Sequence, residues 1–428
     1  PITNLFTSWV NRTPKQSAIC QGDRSWTYDE LYESARAISQ VLIAQGIKRG
    51  HVVAVSGSKS FGLIASMMGV LLSGGVLLTL AQNLPKQRQQ LMLEQAEVQH
   101  LLYVGQLPNE KEWIEEFIEN NFIDPETGNP KIPDSLPLNS YTPEPLNPDD
   151  AAYIFFTSGT TGIPKGVLGS HKGLSHFLNW QRQQFKVSPQ DRLAQLTGLS
   201  FDVVLRDIFL PLTSGATLCL PEVEDDLTTT YVLPWLEREQ ISLLHTVPTL
   251  AQSWLTDVSP TVSLRKLRWV FFAGEPLTET LICRWRKAFP EAGKIVNLYG
   301  PTETTLAKCF YEIPDNVLSG VQPIGFSLPE SQALILAEDS QMCGIGELGE
   351  IVLRTPFRSL GYVNASQENQ KRFVKNYFGN DEEDLLYYTG DRGRYRPDGS
   401  LDILGRIDYQ VKINGIRIEP EEIETVLV

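Results

Sequence analysis

Hydrophobic and polar residues alternate with two different periods along the first hundred residues of the chain. Apolar residues recur every three or four positions from Leu31 to Leu42, which predicts an amphipathic helix that ends near Gly46. Thr27 and Glu30 precede this helix with the spacing of a capping box. Apolar runs at 51–55, 76–80 and 101–104 predict buried strands, and a further helix is predicted at 85–96. This alternation of helices and buried strands predicts a doubly wound α/β sheet.

The segment 61–80 carries no charged residue over a length that could span a membrane. Ser73, Gly74 and Gly75 interrupt it, and glycines at such a position favour a turn. We therefore predict a helix, a turn and a buried strand here, and no membrane as a partner.

Beyond residue 104 the pattern changes twice. Residues 105–150 are acidic and rich in proline, with one predicted helix near 111–119, which indicates a connector. Helix and strand patterns then resume, and short strands with glycine-rich turns follow from about residue 323. The predicted fold is α/β, with two doubly wound α/β subdomains at 1–150 and 151–322 and a smaller β-barrel-like subdomain at 323–407.

Composition narrows the class of protein. A chain of 428 residues with 42% hydrophobic and 21% charged residues fits a soluble globular protein of two or three domains. Its net charge of −14 argues against nucleic acid as a partner, because nucleic-acid backbones are bound by basic surfaces. The five cysteines form no C-x-x-C pair and the five histidines lack metal-ligand spacing. We therefore expect no disulfide framework or zinc site, and a cytoplasmic location.

One stretch, Thr157-Ser-Gly-Thr-Thr-Gly-Ile-Pro-Lys-Gly166, carries the first candidate chemistry. Its glycines allow close approach of the backbone to a ligand, and its hydroxyls and Lys165 suit the oxygens of a nucleotide polyphosphate. It is not a Walker loop, since no Gly-Lys-Ser/Thr step opens a helix. The alternative is a solvated turn, because turns favour the same residues.

Four further stretches follow in order: Asn297-Leu-Tyr-Gly-Pro-Thr-Glu-Thr304, Tyr388-Thr-Gly-Asp391, Gly405-Arg-Ile-Asp408 and Gln410-Val-Lys-Ile-Asn-Gly-Ile-Arg-Ile-Glu419. Each alone could be an ordinary turn or a cap. Together with the loop, they resemble the ANL superfamily of adenylate-forming enzymes, and within it the amino-acid adenylation domains of nonribosomal peptide synthetases. The resemblance covers nearly the whole chain.

The resemblance implies an activity: ATP-dependent conversion of an amino acid to its aminoacyl-AMP, with release of pyrophosphate and loading onto the phosphopantetheine of a carrier domain. The substrate carboxylate is itself the nucleophile, so the site must supply alignment and charge neutralisation rather than a general base. The expected cofactors are ATP and Mg²⁺, and the expected partners are an amino acid and a carrier domain.

The resemblance also implies roles for individual residues. In catalysis, Lys165 and Thr302 would contact phosphates and Glu303 would bind Mg²⁺. Tyr299 would stack on adenine, Asp391 and Arg406 would hold the ribose, and Asp408 would be the hinge of a C-terminal lid. The ATP- or AMP-binding set implied is Thr157, Ser158, Gly159, Thr160, Thr161, Gly162, Gly274, Glu275, Pro276, Asn297, Tyr299, Gly300, Thr302, Asp391 and Arg406.

The chain departs from the family pattern in two places. Residues 73–80 lack the usual Pro-Ile-Asp ending. The catalytic lysine of the family is expected beyond Val428, so that 408–428 would be the hinge and the start of a truncated lid domain. We therefore expect the chain to be a piece of a larger protein.

The family's substrate-selecting helix corresponds to Phe201-Asp-Val-Val-Leu-Arg-Asp-Ile-Phe209. Asp202 would bind the α-ammonium group of an amino acid. Arg206 lies four residues on, so it shares a helix face with Asp202. The remaining pocket residues implied by the motifs are mostly apolar: Val203, His245, Phe271, Ala273, Leu298, Leu306 and Ala307.

A buried cation needs a partner in such a pocket, and a carboxylate on the substrate side chain would provide one for Arg206 and His245. This pocket resembles that of the adenylation domain of α-aminoadipate reductases, so an acidic substrate is predicted. The competing hypothesis is that Arg206 pairs with Asp202 or Asp207 and the pocket takes a neutral residue.

Two alternatives for the function stay open. An acyl- or aryl-CoA ligase of the same superfamily is disfavoured by Asp202, and a non-catalytic nucleotide-binding module by the presence of Glu303, Asp391 and Arg406. Of the residues outside the motifs, Cys219, Cys283 and Cys309 are predicted to be small core residues, and His171 and His176 to belong to a solvated helix start.

Overall fold

The computed structural model describes residues 1–98, 100–106, 113–114, 121–131, 145–158, 164–223, 226–379, 381, 383–408, 410–413 and 416–418. The chain divides into two compact units, one comprising 1–156 and 166–224 and the other 157–165 and 225–428. The helix predicted near 111–119 and the centre of the predicted phosphate loop, 159–163, fall outside the described residues almost entirely. The predicted subdomain boundaries at 150, 322 and 407 stay a prediction.

The first unit is built from helices and mostly parallel strands. Its helices are α1 (Ile2–Arg12), α2 (Tyr28–Ala44), α3 (Phe61–Leu72), α4 (Lys86–Gln95), α5 (His171–Gln184) and α6 (Val203–Leu212). Its strands are β1 (Ser17–Gln21), β2 (Arg24–Thr27), β3 (Val52–Gly57), β4 (Val76–Thr79), β5 (His100–Val104), β6 (Phe122–Ile123), β7 (Ala151–Thr157), β8 (Lys165–Ser170), β9 (Arg192–Ala194) and β10 (Thr217–Leu220).

These strands form two sheet segments with the orders β8-β7-β4-β3-β5-β6 and β9-β10-β1-β2. The pairings of β3 with β4 and β5, of β4 with β7 and of β1 with β10 are parallel. Strands β3 and β4 are buried along nearly their whole length, as expected for a parallel sheet with both faces covered.

Local sequence signals account for where several elements begin. The predicted capping box is present: the Thr27 hydroxyl accepts the Glu30 N–H at 3.2 Å, and Glu30 accepts the Thr27 N–H at 2.7 Å. The uncharged segment 61–80 is helix α3, a turn in which Gly74 has φ +82°, and strand β4, as predicted. Among the described residues, no helix has the length and apolar character that a membrane crossing requires.

The second unit contains shorter helices and two kinds of sheet. Its helices are α7 (Thr229–Arg238), α8 (Pro248–Trp254), α9 (Glu279–Ala288) and α10 (Ser366–Arg372). Its strands are β11 (Leu243–Thr246), β12 (Trp269–Ala273), β13 (Lys294–Tyr299), β14 (Cys309–Glu312), β15 (Phe326–Ser327), β16 (Gln332–Leu336), β17 (Gly349–Arg354), β18 (Gly361–Tyr362), β19 (Phe373–Lys375), β20 (Leu385–Tyr395), β21 (Leu401–Arg406), β22 (Val411–Ile413) and β23 (Ile416–Ile418).

Strands β11, β12 and β13 are parallel neighbours, and β14 and β15 continue their sheet antiparallel. Strands β16, β17, β20, β19 and β21 form a five-stranded antiparallel sheet. The prediction of a mixed α/β fold with parallel sheets, followed by a region of short strands, is confirmed. No closed barrel is found among the described strands.

Two predictions about single residues outside the motifs were wrong. Cys219 and Cys309 are buried as predicted, but Cys283 is exposed on α9. His171 does begin a helix, but it is fully buried rather than solvated, and His176 is half-buried. Periodicity places these residues on helices but cannot say which neighbouring element covers them.

The burial of His171 has a measurable consequence for stability. Desolvation lowers the pKa of His171 from its ordinary value of 6.5 to about 4. The unfolded chain therefore takes up a proton below pH 6.5 that the folded chain does not, and stability falls as the pH drops from 6.5 towards 4. Because of this histidine, the free energy of unfolding should fall by up to about 3 kcal/mol across that window.

Urea unfolding curves at several pH values between 7.5 and 4.5 would measure this contribution. We expect His171→Phe to lose less stability than the unsubstituted chain over the window, and His51→Gln, at a half-buried histidine of the same unit, to behave like the unsubstituted chain. Equal losses in all three proteins would contradict the assignment.

Candidate active site

Three residues with predicted nucleotide contacts meet in the second unit. Tyr299 ends β13, and its hydroxyl donates to Asp391 Oδ2 at 2.5 Å. Arg406 lies opposite Asp391 in the antiparallel pairing of β20 with β21, and its Nη1 donates to Asp391 Oδ1 at 2.9 Å. Burial, together with the Asp391 charge, raises the pKa of Tyr299 well above its ordinary value, so this hydroxyl remains a donor. The predicted adenine- and ribose-binding residues therefore form one hydrogen-bonded cluster.

The same arginine also holds the predicted hinge residue. Arg406 Nε donates to Asp408 Oδ1 at 2.8 Å and Nη2 donates to Asp408 Oδ2 at 2.6 Å, a bidentate pair. Burial opposes ionisation of Asp408, but the hydrogen bonds and charge of Arg406 outweigh it and lower the pKa of Asp408. Gly390, within β20, has φ +75°, and a Cβ there would lie 2.7 Å from Arg406 Nη2, so this position favours glycine.

Glu303, the predicted Mg²⁺ ligand, lies on a turn of 3₁₀ helix, Thr302–Thr304, just after β13. It is fully buried, and its Oε1 accepts a hydrogen bond from the Tyr362 hydroxyl at 2.7 Å. A buried carboxylate oxygen is the kind of ligand that Mg²⁺ takes together with substrate phosphates and water. The residues present therefore fit the predicted metal.

The chain reverses direction directly after Glu303. Thr305 and Leu306 both have positive φ, +66° and +59°, which is an uncommon conformation for residues with a side chain and strained for a β-branched one. The reversal brings the backbone back onto Gly300, where a Cβ would lie 2.3 Å from the Leu306 carbonyl oxygen. Leu306 and Ala307, both predicted pocket residues, are buried in this returning segment.

The ends of the predicted phosphate loop are described, although its centre, 159–163, is not. Lys165 begins β8, and its Nζ pairs with Glu368 Oε2 at 3.0 Å. The Ser158 hydroxyl is buried and has no hydrogen-bond partner among the described residues. The Thr157 hydroxyl makes a long contact, 3.5 Å, with the Lys165 carbonyl oxygen.

The residues predicted to bound the adenine lie at strand ends in the same unit. Asn297 is buried on β13, and its Nδ2 donates to the Pro323 carbonyl oxygen at 2.8 Å. Gly274 follows β12 with φ +87°, and Pro276 is exposed. The Glu275 carboxylate accepts the Thr249 N–H at 2.8 Å near the start of α8. Asn297 and Glu275 therefore have structural partners of their own, independent of any ligand.

Four of the predicted substrate-pocket residues share one face of the second unit's parallel strands. His245 is paired in register with Phe271, and Ala273 with Leu298. Because side chains alternate along a strand, Phe271 and Ala273 point to the same side, and their partners do too. The buried His245 ring stacks on Phe271 with centroids 4.7 Å apart.

The remaining predicted pocket residues lie in the first unit. Asp202 immediately precedes α6, and Val203 is its first residue. Arg206 is 4% exposed, and its Nε donates to Oδ1 of the fully buried Asp207 at 3.2 Å. Burial raises the pKa of Asp207, while Arg206 acts in the opposite direction. Arg206 is thus paired within the chain with Asp207, one of the two residues that the competing hypothesis named.

Three residues that sequence reasoning missed contact this site. Tyr362 binds Glu303, Glu368 binds Lys165, and Glu350 accepts the Gly390 N–H at 2.7 Å. Each lies far along the chain from its partner and belongs to none of the quoted motifs. No spacing in the sequence could have connected them.

Comparison with known proteins places these motifs in a family. A family model described as "AMP-binding enzyme" matches residues 6–363. A plipastatin synthase polypeptide of Bacillus subtilis (strain 168) is 34% identical over 428 residues, which are 100% of this chain and 11% of that protein. The L-2-aminoadipate reductase large subunit of Eremothecium gossypii is 32% identical over 454 residues, which cover 94% of this chain and 32% of that protein.

Solved structures agree with the sequence match. The structure of holo-PA1221, an NRPS protein containing adenylation and PCP domains bound to vinylsulfonamide inhibitor, superposes with a TM-score of 0.86 at 26% identity. The superposed region covers 100% of this chain and 71% of the chain in that structure. The chain spans only about a tenth to a third of the length of the first two relatives. The family match extends over most of the chain, which therefore belongs to the AMP-binding enzymes.

Proposed function

We propose that the chain activates an amino acid by forming its aminoacyl-AMP from ATP, with release of pyrophosphate. The observation that carries this proposal is the cluster of Tyr299, Asp391 and Arg406. It offers an aromatic ring beside a carboxylate that an arginine holds in place. Such a carboxylate can accept hydrogen bonds from both hydroxyls of a ribose.

The proposed mechanism uses this chain's residues for positioning and charge neutralisation. The substrate carboxylate attacks the α-phosphorus, and pyrophosphate leaves from the opposite side. Lys165 would hold phosphate oxygens, while Thr302 would contact the α-phosphate. Glu303 would hold Mg²⁺, which when bound neutralises charge that develops on the phosphates.

The carrier partner is also a proposal. The name of holo-PA1221 describes a protein with adenylation and PCP domains, and this supports a carrier domain as the acceptor of the activated amino acid. We propose the cytoplasm as the compartment, since the cysteine pattern fits a reducing environment.

For the substrate side chain we propose an acidic group. Asp207 engages Arg206 through Nε, and a guanidinium has further donors on its terminal nitrogens. A distal carboxylate on the substrate would bind those donors, while Asp202 would bind the ammonium. The competing hypothesis, a neutral substrate, is supported by the Asp207 pair, which neutralises Arg206 without a ligand.

A pyrophosphate-exchange screen over all amino acids tests the function and the side chain together. We expect glutamate, aspartate or α-aminoadipate to exceed neutral amino acids by roughly ten- to a hundredfold, less than for a fully unmatched buried polar group, because Asp207 still pairs with Arg206 when the substrate is neutral. Arg206→Met should reduce this preference. A neutral best substrate, with little effect of Arg206→Met, would support the competing hypothesis.

The same screen separates the rival functions. Exchange with fatty or aryl acids but no amino acid would indicate a CoA ligase. Binding of ATP in a calorimeter without exchange for any acid would indicate a non-catalytic module.

A further inference from the structure

We infer that Tyr362 is a positioning residue that orients the Glu303 carboxylate for its metal, and that Asn369 fixes Tyr362 in place. This inference rests on the proposed function, because it concerns the same metal site. It adds a residue that belongs to none of the sequence motifs, and a helix that supports it.

The central contact is a buried hydrogen bond between the two side chains. The Tyr362 hydroxyl donates to Glu303 Oε1 at 2.7 Å, with Tyr362 7% and Glu303 0% exposed. A hydrogen bond to a carboxylate in such surroundings is short and directional.

Glu303 is attached to the same segment at a second point. Its backbone carbonyl oxygen accepts the Ser359 N–H at 3.0 Å, three residues before Tyr362. The backbone and the carboxylate of Glu303 are therefore both held by the short stretch that ends in β18. This leaves the side chain little freedom to rotate away.

Tyr362 is held in turn by helix α10. The Asn369 side chain accepts the Tyr362 N–H through Oδ1 at 2.7 Å and donates through Nδ2 to the Tyr362 carbonyl oxygen at 2.8 Å. The preceding Gly361 has φ +110°, and a Cβ there would lie 2.6 Å from Asn369 Oδ1. The Tyr362 ring packs edge-on against Phe373, with centroids 5.9 Å apart.

The same helix also reaches the phosphate-loop lysine. Glu368, next to Asn369, pairs with Lys165, whose Nζ lies 6.0 Å from the centroid of the Tyr362 ring. The ring therefore contacts the proposed phosphate-binding cation, and its hydroxyl contacts the proposed metal ligand. Tyr362→Phe keeps the ring and removes only the hydroxyl, so it separates the two contacts.

The expected effect follows from the usual role of groups that hydrogen-bond to metal ligands. Loss of such a partner typically weakens metal affinity by roughly ten- to a hundredfold. We expect Tyr362→Phe to raise the dissociation constant for the metal by about tenfold. Asn369→Asp keeps the acceptor for the Tyr362 N–H but loses the donor to its carbonyl, and should cause a smaller rise.

Binding of Mn²⁺ provides a readout that does not depend on activity, because Mn²⁺ accepts the same oxygen ligands as Mg²⁺. Free Mn²⁺ would be measured by electron paramagnetic resonance, with the chain saturated by a β,γ-imido analogue of ATP. Glu303→Gln serves as the reference for loss of the ligand itself. Tyr395→Phe is the matched control, since the Tyr395 hydroxyl bonds only to the backbone of Ala333 and Ile335 among the described residues.

Weaker Mn²⁺ binding in Tyr362→Phe than in the unsubstituted chain would support the inference. In that case, Tyr362→Phe and Tyr395→Phe should have similar affinities for the metal-free analogue and similar melting temperatures. The inference would be overturned if Tyr362→Phe and Asn369→Asp both bound Mn²⁺ as tightly as the unsubstituted chain while Glu303→Gln lost binding. The proposed function would then remain intact. If neither the unsubstituted chain nor Glu303→Gln binds Mn²⁺ with the analogue, the proposed metal site fails and the inference fails with it.

Discussion

Asp207→Ala is expected to destabilise the first unit by about 3–5 kcal/mol, because it leaves the Arg206 guanidinium buried without its counter-charge. Arg206 is 4% exposed and Asp207 is fully buried, so water cannot replace the lost partner. The substitution also removes the acceptor of the Thr197 hydroxyl, which donates to Asp207 Oδ2 at 2.5 Å. The free energy of unfolding would be measured by urea denaturation followed by circular dichroism.

The double substitution Arg206→Met with Asp207→Leu is the matched control. Replacement of a buried ion pair by apolar groups of similar volume is often nearly neutral, so this variant should recover most of the stability. A loss below about 1 kcal/mol in Asp207→Ala would show that another group neutralises Arg206. That result would mainly reduce the importance of the Asp207 pair. It would add little support for an acidic substrate.

Asp391→Ala is expected to weaken the binding of AMP by about 1.5–3 kcal/mol, the range for hydrogen bonds to a charged group. Asp391 is the acceptor at the centre of the cluster with Tyr299 and Arg406, and we propose that it also accepts the ribose hydroxyls. Titration calorimetry with AMP measures the change directly. The unsubstituted chain should bind 2′,3′-dideoxy-AMP more weakly than AMP by a comparable free energy. Asp391→Ala should bind the two nucleotides with nearly equal affinity.

Asp398→Ala provides the control for charge, because Asp398 is an exposed residue of the same unit whose carboxylate bonds to Ser400. It should leave AMP binding unchanged. Unaltered affinity in Asp391→Ala, in a protein whose circular dichroism matches that of the unsubstituted chain, would refute the ribose assignment. The Arg406–Asp391 pair would then have a structural role alone.

Much of the local structure follows from short-range signals in the chain. The capping box of Thr27 and Glu30 sets the start of α2, since its two hydrogen bonds form between residues three positions apart. Glycines at 74 and 75 divide the uncharged segment into a helix and a strand. The order of the motifs also identifies the family, because it can be read along the chain without knowledge of the fold.

Helix α1 and the hairpin of β1 and β2 were not predicted. The helical spacing of Ile2, Phe6, Trp9 and Val10 could have predicted α1, whereas β1 and β2 are only five and four residues long and carry little periodic signal. Their stability comes from packing against the rest of the unit; Trp9 on α1, for example, donates to the Thr213 carbonyl oxygen at 2.8 Å.

Contacts between distant segments were decided by the tertiary structure alone. The sequence by itself determined the order of the motifs that contain Glu303, Asp391 and Arg406, and the four-residue spacing of Asp202 and Arg206. Only the fold decided that Arg206 binds Asp207, that Tyr362 holds Glu303 and that His171 is buried. The physical reason is that periodicity specifies which face of an element a residue occupies, whereas burial and hydrogen-bond partners depend on the other elements that pack against that face.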